Sequence, residues 1–140
     1  MQIRGAVPED ALALRELYLS SRRGNFTWLD TAGFQLADFD RDTEGEEVSV
    51  AVEGGELIGF ISLWLPDNFV HHLHVRNAHC GKGVGKALLD AGLARLQMPA
   101  TLKCMTLNER AAKFYSGLGW RIRDAGTGAD GPYYLFERSG

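Results

Sequence analysis

The chain has 140 residues, 45% of them hydrophobic, with 15 basic and 18 acidic side chains and a formal net charge of −3 at pH 7. This length predicts one domain over residues 1–140, and no repeat or linker divides it. The acidic balance is unlike the basic face of a nucleic-acid-binding domain. The start resembles no signal peptide, no apolar run spans a membrane, and two cysteines are too few for a disulfide framework. We therefore expect a cytoplasmic protein without nucleic-acid or membrane partners.

The first half of the sequence predicts a strand, one or two helices and a hairpin. The first helix opens after Pro8, and its apolar side recurs at helical spacing through Ala11, Leu14, Leu17 and Tyr18. Residues 25–46 are polar, acidic and aromatic, which suits a short second helix with flanking loops. The following segment, VSVAVEGGELIGFISLW, predicts a β-hairpin with Gly54 and Gly55 at its turn.

A glycine-rich turn follows the next predicted strand, which covers residues 68–75. Gly81, Gly83 and Gly85 alternate just before an amphipathic helix. Glycine lets the backbone turn tightly and approach a ligand closely, and a helix N-terminus presents unpaired N–H groups. This arrangement predicts a site for a phosphate-sized anion. The spacing fits neither the Walker A loop nor the dinucleotide fingerprint G-x-G-x-x-G.

A second motif lies in the segment TLKCMTLNERAAKFYSGLGWRIR. A strand over residues 102–107 ends at Asn108, which is a good N-cap for a helix running to Leu118. The apolar face of this helix consists of Ala111, Phe114, Tyr115 and Leu118. The remaining sequence predicts two final strands around a glycine-rich connection, so the whole chain has the order βα(α)βββαβαββ.

The two motifs together resemble the GCN5-related N-acetyltransferase (GNAT) family. The glycine loop is similar to the family's pyrophosphate loop R/Q-x-x-G-x-G/A, although Cys80 stands where the family usually has Arg or Gln. The pattern N-x-x-A-x-x-F-Y-x-x-x-G-[FW], which begins at Asn108, resembles the family's second signature. The resemblance spans essentially the whole chain. It implies an α/β fold with a mixed, twisted, mostly antiparallel sheet flanked by helices, in which two central strands splay apart.

The resemblance implies acetyl-CoA as donor substrate and direct transfer of its acetyl group to an amine in a ternary complex. By the same resemblance, Tyr115 protonates the departing thiolate, and a backbone N–H near Val75 polarises the thioester carbonyl. Lysines near the proposed site, including Lys103, suit the anionic cofactor. The implied cofactor contacts are Leu73, His74, Val75, Cys80, Gly81, Lys82, Gly83, Val84, Gly85, Lys86, Asn108 and Lys113.

The strand before the glycine loop holds three histidines and lacks the carboxylate that often serves the family as general base. Strand alternation places Phe69, His71 and Leu73 on one face. We predict His71 as the proton acceptor, with His72 as the alternative because a β-bulge would change the alternation. Two other interpretations stay open: these histidines have purely structural roles, or a chain of water molecules removes the proton.

Cys80 precedes a helix N-terminus and lies near Lys82, and both features would lower the pKa of a thiol. Two interpretations stay open for Cys80: a reactive thiol and an ordinary loop cysteine.

The implied acceptor is an amine of a small molecule or peptide, and we expect a monomer or homodimer without a metal ion. A non-catalytic acyl-CoA-binding module and an acyltransferase with a longer donor are the alternatives. Candidate acceptor contacts are Phe26, Trp28, Asp30, Trp64, Asp67, Asn68, Tyr133 and Tyr134.

Overall fold

The computed structural model describes residues 1–139, and its elements follow the order predicted from the sequence. The strands are β1 (Gln2–Gly5), β2 (Glu47–Glu53), β3 (Glu56–Trp64), β4 (Phe69–Val75), β5 (Ala100–Met105), β6 (Arg121–Gly128) and β7 (Gly131–Arg138). The helices are α1 (Ala11–Asn25), α2 (Asp38–Asp42), α3 (Val84–Leu93) and α4 (Glu109–Gly117). Among the described residues, none of the helices combines the length and hydrophobicity that crossing a membrane requires.

All seven strands form one sheet in the order β1-β2-β3-β4-β5-β7-β6. The neighbours are antiparallel except β4 and β5, which are parallel and pair only at Phe69 with Thr101 and at Val70 with Leu102. Beyond these pairs the two strands separate. The prediction of a mixed sheet with splayed central strands is therefore confirmed.

Helices cover both faces of the sheet, and β3 is buried on both sides because it lies at the centre. One core lies beneath α3 and α4 and includes Ile61, Leu88, Leu102, Trp120 and Phe136. The other lies beneath α1 and α2 and includes Leu14, Leu17, Tyr18, Phe39 and Phe60. The continuous apolar run of β3 reflects this burial on both faces.

A β-bulge interrupts β4 at His71. Leu63 of β3 pairs with Val70, and the preceding Ser62 pairs with His72, so His71 is the extra residue. The bulge brings the rings of His71 and His72 to one side of the sheet, with their centroids 3.9 Å apart. The predicted alternation that placed His71 on the face of Leu73 is therefore wrong, because an inserted residue shifts the side-chain period by one.

Replacing Leu88 by alanine should lower the free energy of unfolding by about 2–5 kcal/mol, since it would leave a cavity in the core beneath α3. Leu88 is fully buried, whereas Leu12 on α1 is 60% exposed. Leu12→Ala is the matched control, also on a helix, and should change stability by less than about 0.5 kcal/mol. Urea denaturation measures both variants. Equal effects of the two substitutions would contradict the described core.

Candidate active site

A cleft of about 860 Å³ opens where β4 and β5 separate. Its walls come from β4, β5, the glycine loop and α4, and from α1 and the loop that follows α1. Many residues that the sequence analysis singled out line this cleft. They are Phe26, His71, His72, Leu73, His74, Val75, Cys80, Gly81, Gly83, Gly85, Lys86, Lys103, Asn108 and Tyr115.

Other predicted site residues lie outside the lining of this cleft: Trp28, Asp30, Trp64, Asn68, Lys82, Val84, Lys113 and Tyr133. Val84 is buried in the core beneath α3, and three of the others make side-chain hydrogen bonds. The indole N–H of Trp28 donates to the Asp130 carbonyl at 3.4 Å. Asp30 accepts a hydrogen bond from the backbone of Ala32, and Asn68 accepts one from the backbone of Gln97.

The glycine loop takes a backbone conformation that favours glycine. Gly81 and Gly83 have φ angles of 77° and 84°, in the left-handed region, and Gly83 immediately precedes α3. Gly85 lies close to α4, since a Cβ there would come within 3.3 Å of Phe114 Cζ. The loop thus directs the N-terminus of a ten-residue helix toward the cleft, and the first N–H groups of a helix have no partner within it.

Backbone groups of β4 also face the cleft. The Arg76 N–H donates to the Ile58 carbonyl at 2.8 Å, toward β3. Because hydrogen-bonding direction alternates along a strand, Leu73 and Val75 point their backbone groups the other way, toward the side that β5 has left. The Cys80 thiol, 3.7 Å from the Val75 carbonyl, lies on that open side.

Asn108 caps α4 as its sequence position predicts: its Oδ1 accepts a hydrogen bond from the Ala111 N–H at 3.2 Å. Asn108→Ala should lower the free energy of unfolding by about 1 kcal/mol, because it removes this cap. Asn108→Ser keeps a capping oxygen and should lose much less. Chemical denaturation of both variants tests this, and equal losses would contradict a capping role.

Tyr115 lies on α4 between the cleft and the core. Its ring packs against Trp120 and Phe136, with centroids 6.1 and 5.9 Å away. Burial raises the pKa of the Tyr115 phenol well above its ordinary value, and the neighbouring Cys104 thiol adds to the effect. The hydroxyl therefore keeps its proton at neutral pH, which is the form that a proton donor requires.

Glu46 is a candidate functional residue that the sequence analysis missed. It immediately precedes β2, and its side chain is only 6% exposed. The Ser62 hydroxyl donates to Glu46 Oε1, and Glu46 Oε2 contacts His71 Nδ1. Because Glu46 is 25 residues before His71 and outside its strand, a search for a carboxylate within β4 could not find it.

The three histidines of β4 have different surroundings. His74 is buried against Tyr18 and Phe60, and burial lowers its pKa to about 3. Burial, with a smaller contribution from His71, lowers the pKa of His72 to about 4. Both rings are therefore neutral near pH 7. His71, at 41% side-chain exposure, is the most accessible of the three, and its Nδ1 is the atom that faces Glu46.

A smaller pocket of about 430 Å³ adjoins the cleft, and His71 lines both. Trp64 and Asp67, which the sequence analysis placed at the acceptor, line this second pocket. Its other lining residues are Glu46, Phe69, Thr101, Lys103 and Leu135. The exposed histidine thus lies at the junction of two openings.

Solved structures that share this fold include N-acetyltransferases. A GCN5-related N-acetyltransferase from Rhodopseudomonas palustris superposes with a TM-score of 0.81 at 24% identity, covering 99% of this chain and 95% of that one. The PaiA N-acetyltransferase from Thermoplasma acidophilum, solved in complex with coenzyme A, gives a TM-score of 0.78 at 19% identity, covering 99% and 98%. An N-acetyltransferase from Staphylococcus aureus Mu50 gives 0.81 at 15% identity, covering 99% and 100%. At these identities the likeness shows the fold alone.

The sequence itself establishes the family. The model of the acetyltransferase (GNAT) family matches residues 11–120, which include both motifs and most of the sheet. The chain therefore belongs to the acetyltransferase (GNAT) family. No curated protein matches the sequence significantly.

Proposed function

We propose that the chain is an N-acetyltransferase that moves the acetyl group of acetyl-CoA directly to an amine bound beside it. The observation that carries this proposal is the position of His71. This exposed histidine is held by a buried carboxylate and lies where the cleft meets the second pocket. Such an arrangement suits a side chain that takes up a proton between the bound acetyl-CoA and the bound amine.

The cleft has suitable partners for the pyrophosphate and the pantetheine arm of acetyl-CoA. The N–H groups at the start of α3 and the nearby Lys86 suit its pyrophosphate. Leu73 and Val75 offer backbone groups to the amides of the pantetheine arm. Asn108 uses Oδ1 for the cap, which leaves its amide N–H₂ free for the same arm.

The proposed transfer then proceeds in one complex. The neutral amine nitrogen of the acceptor attacks the thioester carbonyl carbon, and the Val75 N–H stabilises the oxygen that gains negative charge. The nitrogen gives its proton to His71 Nε2, since Nδ1 faces Glu46. The carbon–sulfur bond breaks, and the CoA sulfur takes the proton of the Tyr115 hydroxyl.

We infer that the acceptor occupies the second pocket and presents its amine at His71. Trp64 and Phe69 supply apolar surface, and Asp67 supplies a carboxylate that favours a cationic group. These side chains suit a small molecule or a peptide with a primary or secondary amine on an apolar body. We expect the protein to act in the cytoplasm, as a monomer or homodimer.

Thermal unfolding with acetyl-CoA, compared with ATP and NAD, tests donor binding first. A ligand that binds only the folded state raises the midpoint, by an amount equivalent to about 2.7 kcal/mol at one hundred times its Kd. We expect a shift with acetyl-CoA alone. An amine panel follows, with acetylated product detected by mass spectrometry.

The outcomes separate the proposal from the non-catalytic alternative. A selective shift together with an acetylated amine supports the transferase. A selective shift without any product across primary, secondary and peptide amines favours an acyl-CoA-binding module. No shift at saturating acetyl-CoA contradicts both the transferase and the binding module. It would indicate that the pyrophosphate site has been lost, with Cys80 in place of the usual Arg or Gln as the visible change.

A further inference from the structure

We infer that Glu46, His71 and His72 form a binding site for a divalent transition-metal ion such as Zn²⁺, and that the ion inhibits acetyl transfer. Each residue offers one ligand atom, and these atoms all lie within 4.8 Å of one another. Two adjacent strand residues normally point to opposite faces. The bulge at His71 is what brings both imidazoles to the same side as the carboxylate.

Neighbouring groups already orient these ligands. His72 Nε2 lies 3.2 Å from the Asp42 carbonyl, which can only accept, so the neutral ring carries its hydrogen on Nε2 and leaves the Nδ1 lone pair free. Ser62 donates to Glu46 Oε1, so Oε2, which contacts His71 Nδ1, is the oxygen that would bind the ion once the proton between them has left. Metal-binding histidines commonly donate their second N–H to a carbonyl or carboxylate in this way.

The ligand set is the kind that zinc prefers. Two imidazole nitrogens and one carboxylate oxygen are a common three-ligand combination, with metal–ligand distances of about 2.0–2.2 Å. In a tetrahedral site such ligands lie about 3.4 Å apart. Glu46 and His71, now in direct contact, would separate slightly to admit the ion. The fourth position would face the pockets that His71 lines, open to water.

The expected consequence for activity rests on the proposed function. A metal ion on His71 Nδ1 replaces the proton that Nδ1 shares with Glu46, so the ring must carry its remaining proton on Nε2. In that form Nε2 cannot accept a proton from the acceptor amine. The ion would also add positive charge where an ammonium-like intermediate forms.

Metal binding is tested without acetyl-CoA or amine, by titrating metal-free protein with Co²⁺ and displacing it with Zn²⁺. We expect one ion per chain, with the visible absorption of a four-coordinate Co²⁺ site. His72→Gln and His71→Gln should each weaken binding at least tenfold. His71 is exposed, so its variant should fold even if His72→Gln does not. His79→Gln is the matched control, because His79 Nδ1 also lies near a carboxylate, 3.6 Å from Glu53.

Unchanged binding in both His71→Gln and His72→Gln, or lost binding in His79→Gln, would overturn the site. Inhibition is measured separately, with acetylated product quantified by mass spectrometry so that zinc cannot disturb a thiol assay. Zn²⁺ should inhibit at the concentration at which it binds, and a chelator should restore the rate. Binding without inhibition would support the metal site and contradict the role of His71 as proton acceptor.

Discussion

Replacing His71 by glutamine should lower the rate of acetyl transfer by about 10²- to 10⁴-fold, the usual contribution of a general base. Glutamine keeps a polar side chain at the bulge but cannot accept the proton of the acceptor amine. Because His71 is exposed, the variant should fold with an unchanged thermal midpoint and should still bind acetyl-CoA. The measurement is kcat at saturating acetyl-CoA, with His79→Gln as the control that retains full activity. A rate within about threefold of the parent would favour proton loss through water.

Glu46 acts in this scheme as a positioning residue, and a double variant distinguishes that role from a general loss of stability. If Glu46 works only through His71, adding Glu46→Gln to His71→Gln should lower kcat little further. Independent, multiplying effects would instead indicate that the carboxylate contacts the acceptor itself.

The regular parts of this fold could be predicted because their signals are local. The glycine loop before α3, the Asn108 cap of α4 and the Gly54–Gly55 hairpin turn each depend on a few adjacent residues, and each lies where the sequence indicates. The pairing of β4 with β5 is long-range, and the sequence analysis did not predict it; the resemblance to a family implied only that two central strands splay apart.

The centre of the candidate site could not be predicted from the sequence in the same way. The bulge places the His71 side chain on the opposite face of the sheet from the one that simple alternation assigns to it, and no residue in the sequence of β4 indicates a bulge. Glu46 precedes β2 and contacts His71 directly, while the buried Ser62 of β3 donates to its other carboxylate oxygen. Such a contact depends on the register between strands, which a single sequence does not determine.

The acceptor residues were hard to predict for a different reason. Trp28, Asp30 and Asn68 lie in loops or turns without a periodic pattern, so residue type was the only guide. Aromatic and acidic side chains suit an amine pocket, but they also close turns and pack on neighbours. Trp28, Asp30 and Asn68 each make a structural hydrogen bond of this kind. Trp64 and Asp67 flank a strand end, and they do line a pocket beside His71.

Replacing Tyr115 by phenylalanine should lower kcat by about 10²- to 10⁴-fold, because the CoA sulfur would lose its proton donor. The ring that packs against Trp120 and Phe136 is kept, so stability and acetyl-CoA affinity should stay close to those of the parent. Calorimetry gives the affinity, and product formation under saturating donor gives kcat.

Tyr134→Phe is the matched control for this substitution. The sequence analysis named Tyr134 as a candidate acceptor contact, but it lines neither the cleft nor the second pocket. Its ring packs on the same core as Tyr115, 6.0 Å from Phe136. Removal of its hydroxyl should leave kcat unchanged. If the protein is a transferase, kcat should fall only in Tyr115→Phe while the affinity for acetyl-CoA is retained, because the reaction, and not binding, needs a proton donor at the sulfur. If the protein is a binding module, Tyr115→Phe and Tyr134→Phe should bind acetyl-CoA with similar affinity and neither should change an activity, because the phenol proton does not contribute to binding.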